Sequence, residues 1–390
     1  MPSVPFSRPT IEDDDVAAVA ETLRSGWITS GPRVQAFEAA FRERLGVRHA
    51  LAVSSATAGL HLLLASLDLG PEDEVVVPSL TWATTANVVE LCGARTVFAD
   101  VDPETLCLDP ADVARRITPR TRALIPVHFA GQPADLAALR TLAAEHGLDL
   151  IEDAAHALGT AYGDEEIGSA GNPAVFSFHP IKNITTAEGG MIVLDDDERA
   201  TRLRLLRFHG VSKDAWQRYH QRRVHGYDVL LPGFKYNLTD LQAALGLVQF
   251  GKLERFNARR TALAERYLQL LEGLAELAPL GRVPYSARHC WHLFVVRLRL
   301  EALDCDRDAF MSELAAEGVA TGLHFQPLHQ TAYYRERYGY GPGDLPHTED
   351  VGARIFSLPL FPGLSEAEQD HVVAALKTVL ARHRKRGHDA

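Results

Sequence analysis

The chain has 390 residues, of which 46% are hydrophobic and 23% charged, with a formal net charge of −11. This length predicts more than one domain, and the composition is that of an ordinary soluble globular protein. There is no basic excess of the kind a nucleic-acid surface needs, although local donors in an acidic protein still suit a phosphorylated ligand. Cys92, Cys107, Cys290 and Cys305 form no CxxC pair and no disulfide framework, so reduced thiols are expected. Met1 to Phe6 lacks a basic stretch followed by an apolar run, and no segment offers about 20 consecutive apolar residues, so neither a signal peptide nor a membrane span is expected. The expected location is the cytoplasm.

In chain order, Ala50 to Val53 reads as a strand, followed by Ser54-Ser55-Ala56-Thr57-Ala58-Gly59-Leu60, where small and hydroxyl residues open a helix. A helix N-terminus presents free N–H groups and a positive dipole end, which suits phosphate, but any capped helix looks similar. Glu74 to Pro78 is a buried strand, and the stretch after it carries Trp82, placed either to stack on a flat ring or in the core. Strands follow at Thr96 to Asp102, Ala123 to Val127 and Leu148 to Asp153, with a helix from Pro133 to His146 stopped by Gly147. Alternating strands and helices with right-handed crossovers predict an α/β fold with a mostly parallel sheet. Later come one or two helices over Thr239 to Glu272 and a strand over His292 to Leu300. A helix over Arg307 to Glu317 and a closing helix over Glu366 to Arg384 complete the chain. The expected domains are residues 1–245, large, and 246–390, a smaller α+β unit.

The densest segment is Ala174 to Gly190, where a short aromatic strand delivers Lys182 into a polar, glycine-bearing stretch. A lysine in a loop is either a solvated charge or, with a lowered pKa, the amine that forms a Schiff base with an aldehyde cofactor. Ser177 can donate to a phosphate, and Gly189-Gly190 would let backbone approach a ligand closely. Asp153 ends a strand where open α/β sheets bind ligands. It suits either a helix N-cap or the carboxylate that keeps a pyridine nitrogen protonated, as pyridoxal 5′-phosphate (PLP) requires. No GxGxxG or GxxxxGK[ST] is present, which removes the main support for dinucleotide and P-loop readings. His209, His220 and His225 are scattered and no HExxH occurs, so no metal site is expected. Ser212 to Leu231, with Arg218, Arg222 and Arg223, reads as a surface loop or as a diphosphate-binding stretch.

Together these segments, with Ser25 to Pro32, Gly233 to Asp240 and Phe356 to Pro362, resemble the DegT/DnrJ/EryC1/StrS family of sugar aminotransferases over essentially the whole chain. The resemblance implies the fold-type-I architecture of PLP-dependent transferases. It also implies that Lys182 holds the cofactor and shuttles the proton, and that Asp153 pairs with the pyridine nitrogen. Trp82 would stack on the ring, and Ala56, Thr57 and Ser177 would bind the phosphate. Asn237 would reach that phosphate from the neighbouring subunit of a homodimer with shared active sites. His156 would lie near the cofactor hydroxyl, where many members carry glutamine, and Thr29 and His324 would meet the substrate. Glu152 to Thr160, Phe176 to Gly190, Phe208 to Gly210 and Thr321 to Phe325 are most similar to members acting on UDP-linked 4-keto-pentoses, with L-glutamate as amino donor and 2-oxoglutarate as product. Some relatives are 3-dehydratases with histidine in place of the lysine. Lys182 argues against that activity, and His179 does not fill the slot. A PLP-binding sensor without transaminase activity, or a PLP lyase or epimerase, stand as alternatives.

Overall fold

A computed structural model describes residues 3–211 and 228–385. Most of the arginine-rich stretch expected as a loop, including Arg218, Arg222, Arg223, His220 and His225, lies outside the described residues.

The large sheet is built from β1 (His49–Val53), β2 (Glu74–Pro78), β3 (Arg95–Ala99), β4 (Thr121–Leu124), β5 (Asp149–Leu150) and β6 (Glu152–Asp153). A ribbon formed by β7 (Ala161–Tyr162) and β8 (Glu165–Glu166) intervenes before its last strands, β9 (Ala174–Ser177) and β10 (Gly190–Leu194). The order is β3-β2-β4-β5 on one side and β6-β9-β10-β1 on the other. The two halves are continuous, because β5 and β6 are one strand interrupted at Ile151, whose amide still donates to the Leu124 carbonyl at 3.0 Å. The Asp153 amide likewise donates to the Pro126 carbonyl at 2.9 Å. Pairing is parallel from β3 through β9, and only β10 runs against its neighbours. The expected mostly parallel sheet is thus present. The central strands are apolar on both faces because helices cover both, as parallel sheets require.

This topology places the C-terminal ends of β1, β2, β6 and β9 along one edge. The helices that follow β1 and β2 begin there, at Ala56 and Ala83. The first starts one residue after the cap Ser55, whose Oγ accepts from the Ala58 amide at 3.1 Å. Gly190 lets the sheet lie against this helix start. A Cβ on Gly190 would sit 2.8 Å from the Ala56 nitrogen and 2.8 Å from the Phe176 carbonyl oxygen. Of the glycine pair expected to admit a ligand, Gly190 thus admits the protein's own backbone, while Gly189 lies against the side chains of Thr186, Leu238 and Phe178.

Two helices, Asp240–Gly251 and Leu253–Leu270, follow, and the expected division near residue 245 falls inside the first. Beyond them β11 (Leu277–Pro279), β13 (Phe294–Leu298) and β14 (Ile355–Leu358) form an antiparallel sheet with β13 in the middle, and β12 (Ala287–Arg288) joins the β7–β8 ribbon. Helices Arg307–Ala316 and Glu366–His383 pack on this sheet to make a separate apolar cluster that also takes in Val4. Val4 is held there by a parallel bridge to Val319.

Arg260 ties the long helix to the C-terminal strands. It is buried, and its Nη1 donates to the carbonyls of Trp291 at 3.3 Å, His292 at 3.1 Å and Leu360 at 2.9 Å. Burial lowers its pKa to about 10, so it remains a cation. Arg260→Leu would leave three buried carbonyls without their donor. The expected result is a loss of roughly 2–4 kcal/mol in a urea unfolding titration; an unchanged midpoint would contradict this account.

Candidate active site

The edge where β1, β2, β6 and β9 end opens into a cavity of about 440 Å³. Ala56, Thr57, Trp82, Asp153, His156, Ser177, Lys182 and His324 all line it. Residues separated by more than two hundred positions thus face one space.

Lys182 reaches the cavity from a tight loop after β9. Its amide donates to the His179 carbonyl at 2.9 Å, and the Thr186 amide closes the loop onto the Phe178 carbonyl at 3.0 Å. The next residue, Asn183, anchors the loop from below through Nδ2 bonds to Asn257 Oδ1 at 2.7 Å and the Cys290 carbonyl at 3.0 Å. Burial disfavours the ammonium and lowers the Lys182 pKa to about 8, against the opposing pull of Asp153. A fraction of this amine is therefore nucleophilic near neutral pH, the condition for condensing with an aldehyde.

Asp153 is buried at the end of β6. Burial raises its pKa, while bonds from the Ala155 amide to Oδ1 at 3.1 Å and from Thr85 Oγ1 to Oδ2 at 2.9 Å favour the charged form, as does Lys182. Such a carboxylate suits a partner that brings its own positive charge, which a protonated pyridine nitrogen does. Trp82 stands at the mouth of the cavity with 65% of its surface exposed. Its large exposed ring is unusual for a core tryptophan and leaves a flat face available for stacking. The helix beginning at Ala56 presents its first amides to the same space beside Ser177, a ready anion site. Thr57 Oγ1 is hydrogen-bonded to Thr84 Oγ1 at 2.9 Å, which links the two helix starts.

His156 lies between the imidazole of His292, at 4.3 Å between ring centres, and Phe325, at 5.8 Å. Burial, with Lys182 and His324 nearby, lowers its pKa well below the usual range, so the ring is neutral. His324 is neutral for the same reasons, with its pKa lowered to about 3.

Thr29 and Asn237 stand apart from this cavity within the single chain. Thr29 is exposed, and its carbonyl accepts from the Asp240 amide at 3.1 Å. Asn237 Nδ2 donates to Ser30 Oγ at 2.6 Å, and Asn237 bridges to Val53 at the end of β1. Sequence reasoning gave no role to Thr81, Thr84, Thr85, His179, Glu188 or His292. The hydroxyl run Thr81, Thr84 and Thr85 is the available signal, since Thr81 and Thr85, four apart, pair with each other and Thr85 reaches Asp153, while Thr84 turns to Thr57. Among the described residues, one surface group of ligand-type atoms occurs, at Asp304, Cys305 and His383. There His383 is already hydrogen-bonded to Asp304 at 2.7 Å and to Glu313 at 2.5 Å.

Gly190→Ala tests the helix start as the phosphate site. The added methyl must displace backbone, so PLP affinity measured by equilibrium dialysis should fall about tenfold or more; affinity equal to wild type would argue against the phosphate lying there.

The cavity accommodates PLP on its own chemistry, because the amine suits its aldehyde, the carboxylate its ring nitrogen and the helix start its phosphate. A parallel sheet carrying such a cavity at its C-terminal edge defines a PLP-dependent transferase of fold type I, and the whole-chain comparisons agree. They also narrow the class. The model of the DegT/DnrJ/EryC1/StrS aminotransferase family matches residues 9–377, and the chain belongs to that family. It is a PLP-dependent sugar aminotransferase.

Similar solved structures include DesV of S. venezuelae, at 36% identity and a TM-score of 0.87, covering 97% of this chain and 99% of that one. PseC of Helicobacter pylori, an aminotransferase involved in the biosynthesis of pseudoaminic acid, is 28% identical with a TM-score of 0.90, covering 97% and 100%. The aminotransferase TlmJ of Streptoalloteichus hindustanus is 34% identical with a TM-score of 0.89, covering 97% and 99%.

Proposed function

We propose that this chain transfers the amino group of L-glutamate to C4 of a nucleotide-linked keto-sugar, with a UDP-linked 4-keto-pentose as the favoured acceptor. The observation that carries this reading is the grouping of Lys182, Asp153, His156 and His324 around one cavity. The first two serve any transamination. The two neutral histidines add hydrogen-bonding groups without charge, which suits a polyhydroxylated acceptor.

Bound PLP supplies an aldehyde that accepts the amino group and a ring that withdraws electrons from the adjacent carbon. Lys182 Nζ would hold the cofactor through its aldehyde and would carry the proton to and from the donor α-carbon. Asp153 would keep a proton on the ring nitrogen, and the Thr85 and Ala155 bonds hold its carboxylate in one orientation. Trp82 would cover one ring face, Ala56, Thr57 and Ser177 would bind the phosphate, and His156 would meet the ring hydroxyl. The same residues would serve the keto-sugar in the opposite direction.

Thr29 meets the substrate, and Asn237 completes the phosphate site of a second copy in a homodimer with shared active sites. Both lie outside the cavity of their own chain, which supports their serving a partner. No helix among the described residues is long and apolar enough to cross a membrane, and we assign the enzyme to the cytoplasm.

The test is a panel of UDP- and TDP-linked keto-sugars incubated with PLP-loaded enzyme and glutamate, reading 2-oxoglutarate. Turnover with UDP-4-keto-pentose above all others is expected. Preference for a TDP-linked hexose would overturn the acceptor assignment, and absence of 2-oxoglutarate with any acceptor would overturn the donor.

A further inference from the structure

His324 is held from behind by two residues that do not touch the cavity. Its Nδ1 is 2.9 Å from Ser357 Oγ. Its ring is stacked on Phe6, with 5.3 Å between ring centres and 29° between planes. The backbone is equally constrained. Ser357 and Gly322 exchange amide hydrogen bonds of 2.8 and 3.0 Å, and a Cβ on Gly322 would sit 2.6 Å from His324 Cε1 and 2.9 Å from Phe6. Phe6 follows two residues after the Val4–Val319 bridge and packs against the apolar cluster that contains Phe325.

The hydroxyl direction follows from burial. Ser357 has no exposed surface, and among the described residues its Oγ has one hydrogen-bond partner, the His324 nitrogen. A buried hydroxyl hydrogen without an acceptor costs more than an unused lone pair. The hydroxyl therefore donates, Nδ1 accepts, and the ring proton of the neutral imidazole sits on Nε2. That nitrogen remains for the cavity, which His324 lines.

We infer that Ser357 and Phe6 are positioning residues that fix His324 as an Nε2–H donor facing the cavity, and that this donor serves an oxygen of the acceptor sugar. A neutral N–H whose direction is fixed suits a carbonyl or hydroxyl oxygen of a sugar, which accepts from it. Burial and Lys182 hold His324 neutral, with His156 and His292 as further neutral rings nearby. The sugar half of the inference rests on the proposed function, whereas the tautomer stands independently of it.

Two measurements decide it. ¹⁵N-histidine NMR of the cofactor-free chain should show His324 as the Nε2–H form, with Ser357→Ala giving a mixture of tautomers and Phe6→Leu broadening the same signal. An Nδ1–H form in wild type, or a spectrum unmoved by Ser357→Ala, would overturn the tautomer assignment. In single-turnover kinetics with UDP-4-keto-pentose and glutamate, Ser357→Ala should lower the ratio of acceptor to donor half-reaction kcat/KM by about tenfold. A ratio unchanged from wild type would overturn the assignment to the sugar. Gly322→Ala is the second variant, expected to shift the ratio the same way by pressing on the ring, and an unchanged ratio in both variants rejects the clamp. If wild type does not consume this sugar, the acceptor reading falls while the NMR result still decides the tautomer.

Discussion

Lys182→Ala is expected to lose at least about 10³-fold in turnover with glutamate, because no other amine lines the cavity among the described residues to carry the proton between the donor α-carbon and the neighbouring carbon. The variant should also release PLP on dialysis, where wild type retains a band that borohydride fixes. Retention of both the band and full turnover would defeat the assignment. The same substitution has a distinctive stability signature. The lysine pKa falls from 10.5 to about 8 on folding, so between those values the unfolded chain binds more protons than the folded one. Stability of the cofactor-free protein must therefore rise as pH increases from about 8 to about 10.5. Below that window the folded state carries a buried ammonium at a cost, and above it both states are neutral. Denaturant midpoints of wild type should climb across this window more steeply than those of Lys182→Ala, and parallel curves would mean the amine is solvated.

Asp153→Asn is expected to lose on the order of 10²–10⁴-fold in the glutamate half-reaction while keeping the cofactor attached. Asparagine has nearly the same shape, its oxygen still accepts from the Ala155 amide, and its NH2 can donate to Thr85 Oγ1, whose hydroxyl turns to Thr81, so the fold and the cavity should persist. It cannot hold a charge against the ring nitrogen. The two variants separate the roles, since one removes the attachment and the proton carrier, and the other leaves both but weakens the ring as an electron sink. A half-reaction within about threefold of wild type, with PLP bound, would remove Asp153 from its proposed role.

Much of the architecture is legible in local sequence. The strands at Glu74–Pro78 and Phe294–Leu298 are short apolar runs. The helix at Leu136–His146 begins with the capping Asp135 and stops at Gly147, whose φ of 63° suits glycine. The segment around Lys182 is also legible, since amine, hydroxyl and glycine chemistry lie within a few residues of one another. Strand direction is not written in this way. Gly190–Leu194 is as apolar as its parallel neighbours, and only its pairing with β1 and β9 makes it antiparallel. The partners of the site residues are likewise remote. Thr85 meets Asp153 across 68 positions, and Ser357 meets His324 across 33.

By itself, then, the sequence determined which segments become strands and helices, and which side chains bring amine and carboxylate chemistry, because periodicity, caps and residue type act over a few residues. The tertiary structure alone decided that these groups share one cavity, that His324 is backed by Phe6 and Ser357, and that Thr29 and Asn237 stand outside. Those are contacts across long chain separations, fixed by how the sheet edge and the C-terminal strands pack, and no local pattern encodes them.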